Sequence, residues 1–341
     1  MKTIAIGILG AGRIGRLHGD NILQMEGIDR KAGADPYANF ESWPPASVNT
    51  GRDPGLVLDD EAIDAVLICS PTPTHADFIE RAAAAGKHIF CEKPIDLEPD
   101  RIKRTLEIVD RAGVKLQIGF NRRFDPTFAR VKKEVAEGNV GDIHLIRITS
   151  RDPEAPPAEY VASSGGIFLD MTIHDYDMVR FLSGAEVVEV HAYGAVLVDP
   201  EIGEAGDVDT AITTLRLSNG ALAVIENSRQ AVYGYDQRVE VFGSKGSAEA
   251  LNEVPAQIRL STAVGVRSEK PLYFFLERYQ ASFVAELEAF FACVREDGAP
   301  AVDGQDGLMS VVVALAATRS RAVNRPMMVE TRAVPPTGGR S

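Results

Sequence analysis

Three side chains in this sequence have the means to move a proton from an alcohol: Lys93, Asp170 and His174. Asp170 and His174 stand four residues apart, so on one helix they share a face and the carboxylate can orient the imidazole. An imidazole, with a pKa near ~6.5, can take a hydroxyl proton while hydride leaves the same carbon. The pair could equally make a structural hydrogen bond. Two such ligands without a convergent third and fourth do not make a metal site, so the expected metal content is none. Lys93 lies in Cys91-Glu92-Lys93-Pro94, directly after an apolar run. There it can reach a substrate oxygen, although an exposed Glu-Lys pair is the plainer reading.

Hydride needs an acceptor, and the chain supplies a place for one. Gly10-Ala11-Gly12-Arg13-Ile14-Gly15 has the G-x-G-x-x-G spacing after a strand-like run and before a helix-like one. Gly10 suits the tight turn, Gly12 the close approach of a pyrophosphate, and Gly15 the packing of helix on strand. Asp35 follows Gly15 by 20 residues, where a carboxylate accepts from the adenosine ribose, although Asp-Pro would also suit a strand-end turn. It would repel a 2′-phosphate, and Pro36-Tyr37 offers no arginine, so NAD is expected over NADP. The segment Ser70-Pro71-Thr72-Pro73-Thr74-His75 falls at the same sheet edge, with Thr74 a candidate helix cap.

These residues need a frame. Short apolar runs at Ile4–Leu9, Ala32–Asp35, Ala65–Ser70, His88–Cys91 and Leu116–Gly119 alternate with helical patterns at Ile14–Met25, His75–Ala85 and Asp100–Ala112. That alternation predicts a parallel sheet with crossover helices, a dinucleotide-binding domain over residues 1–120. The pattern then changes to alternating strands at Ile143–Thr149, Val187–Ala195, Thr210–Leu217, Leu222–Ser228 and Arg238–Phe242, with Ser218-Asn219-Gly220 as a hairpin turn. Helices are expected at Phe168–Leu182, Arg278–Arg295 and Gly307–Val323. Residues 121–330 therefore read as an α+β domain with a large, mostly antiparallel sheet, and 331–341 as a loose tail.

With 36 Lys+Arg against 49 Asp+Glu in 341 residues, the net charge is −13, which disfavours nucleic acid and anionic membranes as partners. No run approaches the roughly 20 apolar residues of a membrane span. Three widely spaced cysteines suit a reducing cytoplasm better than a disulfide framework.

The stretches Gly7 to His18, Cys91 to Ile95, Gly119 to Asp125, Gly165 to Asp175 and Tyr233 to Arg238 resemble the Gfo/Idh/MocA family of oxidoreductases, and within it the inositol 2-dehydrogenase branch. The resemblance runs from Met1 to about Glu330. It implies an N-terminal Rossmann domain holding NAD through Gly10, Gly12, Arg13, Ile14, Gly15, Asp35, Ser70, Thr72, His75, Glu92 and Lys93. It implies catalysis by Lys93, Asp170 and His174, with His174 as general base, and a substrate surrounded by Asn121, Arg123, Asp152, Tyr235 and Tyr279 as well. The reaction implied is oxidation of myo-inositol to scyllo-inosose. Another cyclitol or a pyranose as substrate, or a non-catalytic NAD(P)-binding regulator, are the alternatives. A homotetramer, or at least a dimer, assembled through the open face of the second sheet, is also implied.

Overall fold

The structure is a computed structural model that describes residues 3–40 and 47–330. The tail expected over 331–341 lies outside the described residues. The described residues form two compact units, one of residues 3–40, 47–121 and 282–311, the other of 122–281 and 312–330.

The first unit runs β1 (Ile4–Leu9), α1 (Arg13–Ile22), β2 (Ile28–Ala34), β3 (Asn49–Gly51), α2 (Gly55–Leu58), β4 (Ala65–Ile68), α3 (His75–Ala84), β5 (His88–Glu92), α4 (Pro99–Ala112) and β6 (Leu116–Gly119). All its strand pairs are parallel and the order is β3-β2-β1-β4-β5-β6, the doubly wound arrangement whose crevice opens at the carboxyl ends of the strands. The strand expected at Ala32–Asp35 starts four residues earlier, because Ile28 to Arg30 pair with Ile4 to Ile6. Helix α4 starts one residue before the expected Asp100: Pro99 begins it, Asp100 lies in its first turn, and Gly113 ends it at φ 68.

The second unit comprises α5 (Pro126–Ala136), β7 (Ile143–Arg151), α6 (Ala158–Ser164), α7 (Gly166–Asp170), α8 (Ile173–Ser183), β8 (Val187–Ala195), α9 (Pro200–Glu204), β9 (Thr210–Leu217), β10 (Leu222–Ser228), β11 (Asp236–Gly243), β12 (Gly246–Ala250), β13 (Arg259–Thr262), β14 (Gly265–Ser268) and α10 (Phe275–Arg278). The chain closes with α11 (Gln280–Glu296), α12 (Gly304–Val323) and β15 (Met327–Met328). The large sheet has the order β12-β11-β7-β10-β9-β8-β15 and is antiparallel except where β10 runs beside β7. The Asn-Gly turn joins β9 to β10 as expected, with Gly220 at φ 88. One face buries Ile146, Ile148, Leu215, Ile225, Val239 and Val241. The other exposes Tyr193, Ile212, Leu222 and Phe242 among ion pairs such as Arg147–Glu240 and Arg151–Glu226.

Two expectations need correction. Ser282 to Val311 belong with the first unit, not with a second domain that runs on to 330. The reason is apolar burial: Leu287, Phe290 and Phe291 of α11 pack among Ile4, Ile6, Leu67 and Phe90. The single helix expected over Phe168–Leu182 is broken between α7 and α8. The backbone N–H of Thr172 donates to the Ile167 carbonyl at 2.9 Å, and its hydroxyl, with one hydrogen to give, lies 2.9 Å from Asn227 Oδ1 and 3.2 Å from that same carbonyl. A threonine that bonds backwards in this way competes with the helical ladder.

Candidate active site

In the first unit the glycine loop is shaped by what a side chain would strike. Gly10 has φ 96, and a Cβ there would meet the Ser70 nitrogen at 2.5 Å. A Cβ on Gly15 would lie 1.9 Å from the Gly10 carbonyl oxygen, so α1 can begin this close to β1 only without one. Around Gly12 a Cβ would meet nothing within 4 Å. Gly12 is also the cap residue of α1 and makes no side-chain cap bond to the first turn that Arg13, Ile14 and Gly15 help to form. An open, positively polarised helix start fits a pyrophosphate.

Asp35 supports this loop directly. Its Oδ2 accepts from the Ala11 backbone N–H at 2.7 Å, and its Oδ1 accepts from Tyr37 and Ala38. The strand-end turn reading is thus observed, and the carboxylate keeps lone pairs for a ribose hydroxyl. His75 is buried with Nδ1 at 2.7 Å from the Pro94 carbonyl and Nε2 at 2.7 Å from that of Ser70. It ties together the segments that follow β4 and β5, and burial pushes its pKa down. Thr74 does not cap α3; its hydroxyl is engaged by Ser70 and the Pro71 carbonyl. Thr72 opens the short 3₁₀ turn before α3. Glu92 ends β5 and accepts from buried His18 at 2.8 Å, so it is not half of an exposed Glu-Lys pair. Lys93 follows it, half-buried, and Asn121 is buried after β6.

In the second unit the Thr172 break places Asp170 at the end of α7 and His174 in the first turn of α8, rather than on one helix face. Asp170 accepts from two neighbours: Tyr160 donates to Oδ1 at 2.9 Å and Arg229 to Oδ2 at 3.0 Å. The Arg229 guanidinium also lies 3.8 Å from Asp152. Burial raises the Asp152 carboxyl to about 6, the Asp170 charge adds to this, and Arg229 works against it.

Arg123 does not join the proposed substrate group. Its guanidinium makes a two-pronged pair with buried Asp177, at 2.8 and 2.6 Å, and lies over the Phe181 ring. The arginine beside Tyr235, Tyr279 and Asp152 is Arg122, which bonds Asp175 at 2.6 Å within a buried chain that continues through Asn227 to Thr172. Tyr235 and Tyr279 are buried edge to face with ring centroids 5.9 Å apart, and burial pushes the Tyr279 hydroxyl up to about 12. Arg122 and Arg229 were missed. For Arg122 the only signal was its place beside Arg123; Arg229 had none, since its meaning comes from contacts with distant aspartates. Asp236, within the Tyr233 to Arg238 stretch, ties Tyr233, Arg238 and Asn252 together. Among the described residues no helix is long and apolar enough to cross a membrane.

Comparison with known proteins agrees with both halves of this description. Residues 4–120 match the oxidoreductase family with an NAD-binding Rossmann fold, and residues 128–249 match the GFO/IDH/MocA C-terminal domain. The chain is 49% identical over 335 residues to the uncharacterized oxidoreductase YrbE of Bacillus subtilis, covering 96% of this chain and 97% of that one. It is 47% identical over 328 residues to a myo-inositol 2-dehydrogenase of Thermotoga maritima, covering 95% and 98%. Among solved structures, a scyllo-inositol dehydrogenase of Lactobacillus casei, with NAD(H) and scyllo-inositol bound, superposes with a TM-score of 0.90 at 33% identity, covering 96% and 99%. The first unit is therefore the NAD-binding Rossmann domain of an oxidoreductase, and the chain belongs to the Gfo/Idh/MocA family.

Proposed function

We propose that this oxidoreductase is an inositol 2-dehydrogenase that oxidises one hydroxyl of myo-inositol to the ketone scyllo-inosose. The observation that carries this reading is the 47% identity to a myo-inositol 2-dehydrogenase across nearly the whole of both chains. Lys93, Asp170 and His174 are all present. Bound NAD supplies the hydride acceptor. His174 takes the hydroxyl proton, Asp170 supports the charge that forms on the imidazole, and Lys93 stabilises the oxygen as its negative charge develops. Tyr160 and Arg229 hold the Asp170 carboxylate in place for that task. Asn121, Asp152, Tyr235, Tyr279 and Arg122, in place of Arg123, offer polar and aromatic groups suited to a ring bearing many hydroxyls.

The likeness to a scyllo-inositol dehydrogenase favours a second reading, in which scyllo-inositol is the better substrate. Oxidation of either isomer at this carbon gives the same ketone. We further propose that the chain works in the cytoplasm, with its three cysteines free, as a homotetramer that covers Tyr193, Ile212, Leu222 and Phe242 on the open sheet face. Initial rates with NAD and NADP against myo-inositol, scyllo-inositol and glucose test the assignment. Myo-inositol with NAD is expected to give the highest kcat/KM, and a preference for glucose with NADP would overturn both claims. Lys93→Met and His174→Asn are expected to lower kcat by about 100-fold or more while leaving NAD affinity within a few-fold; near-normal turnover in both would refute their roles.

A further inference from the structure

Within the first unit, His18 of α1, Glu92 at the end of β5 and Glu286 of α11 bring three ligand atoms within 4.8 Å of one another. His18 Nε2 lies 2.8 Å from Glu92 Oε1 and 3.9 Å from Glu286 Oε1. His18 and Glu286 have no exposed side-chain surface, and the imidazole is wedged edge-on against Phe90 and Phe283. Neither Glu286 oxygen has a hydrogen-bond partner among the described residues. Glu92 is 16% exposed and is the cluster's opening to the strand edge. A Cβ on Gly119, at the end of β6, would lie 3.1 Å from its carboxylate.

Two carboxylates this close in an apolar setting cannot both stay ionised without a compensating charge. Burial, with the Glu92 charge added, holds the Glu286 carboxyl well above the usual carboxylate range. Among the described residues, the other titratable groups facing the cluster supply no buried cation. Cys69 after β4 and Cys91 on β5 have their thiols pushed up, first by burial and then by Glu92, and burial keeps the His75 pKa low. Lys93, half-buried, is the adjacent positive charge.

In a doubly wound sheet of this order, the half of the dinucleotide not held by β1 to β3 lies over the ends of β4 to β6. For NAD that half is nicotinamide, positively charged when oxidised and neutral when reduced. We propose that His18, Glu92 and Glu286 act as one proton-holding unit that discharges a proton to solvent when oxidised NAD binds and recovers it once the ring has been reduced. The proton balance is simple: the Glu286 carboxylic acid becomes carboxylate plus a solvent proton on binding, and the reverse follows hydride transfer. His18 and Glu286 are thus positioning residues for charge, acting through Glu92. This rests on the NAD site and not on the identity of the alcohol.

Isothermal titration of the full-length protein with NAD and with NADH, in buffers of different ionisation enthalpy between pH 6 and 8, tests it. The wild type is expected to release about 0.3 to 1 proton per NAD bound near pH 7 and to bind NAD several-fold more tightly per pH unit, with neither effect for NADH. Glu286→Gln and, independently, His18→Asn are expected to abolish the proton release while still binding both dinucleotides. Equal proton counts for NAD and NADH in the wild type overturn the proposal without any variant. So does proton release that persists in Glu286→Gln. If neither dinucleotide binds, the cofactor reading fails and takes the proposal with it.

Discussion

The glycine loop of the first unit offers a ligand mostly backbone, whereas the second unit surrounds its aspartates with long, buried, charged side chains. In the loop, fit comes from atoms left out: no Cβ on Gly15 to strike Gly10, none on Gly12 where space is open. Around Asp152, Asp170 and Asp175, it comes from guanidinium groups brought from other segments, Arg122 from before α5 and Arg229 from after β10. A backbone site is set by local conformation and is cheap to fold. A web of buried charges is costly unless every partner is present, but it can set the ionisation of each carboxylate separately.

The sharpest way to break this contrast is to remove one web partner. Arg122→Met leaves the Asp175 carboxylate, which has no exposed side-chain surface, without its cation. The expected loss is about 3–5 kcal/mol in urea unfolding, together with a raised KM for the alcohol in whatever remains folded. Arg123→Met also strands a buried aspartate, Asp177, but should leave that KM nearly unchanged. If the two variants behave alike toward substrate, the separation drawn between these neighbouring arginines is wrong.

A smaller effect divides the loop itself. Gly15→Ala must push α1 away from the Gly10 carbonyl and should cost about 1–3 kcal/mol of stability along with NAD affinity. Gly12→Ala has room and an ordinary φ of −71, so stability should hold within about 0.5 kcal/mol while NAD affinity falls at least ~10-fold. Thermal melts with and without NAD separate the two. A Gly12→Ala protein that binds NAD normally would show that the open space serves something else.

The contrast also explains what could be read from sequence. Strands β1, β6, β8, β9 and β10 have the bounds that alternation and the Asn-Gly turn predict, because those signals are local. The glycine loop is legible for the same reason: three glycines at two spacings, with a strand before them, suffice. What escaped depends on partners distant in the chain. The break at Thr172 needs Asn227 to hold it. Arg122 and Arg123 are indistinguishable until Asp175 and Asp177 each claim one. The return of α11 to the first unit rests on Leu287, Phe290 and Phe291, whose apolar spacing reveals a helix but not which core receives it.

The smallest expected effect tests whether the web tunes ionisation as well as holding shape. The Asp152 carboxyl titrates near 6 in the folded protein and near ~3.9 when unfolded, so the folded state keeps a proton that the unfolded state has already lost between those values. Its contribution is therefore full below pH 4 and is lost as pH rises to about 6, the opposite of a salt-bridged carboxylate. With 26% of the side chain open to water, the change should amount to about 1 kcal/mol. Asp152→Asn, which cannot titrate, should flatten that slope in unfolding measured from pH 4 to 7 and remove an ionisation near 6 from the pH profile of kcat/KM. A slope unchanged by the substitution would mean that Arg229 holds Asp152 ionised throughout, and that the web around it fixes shape without tuning this carboxyl.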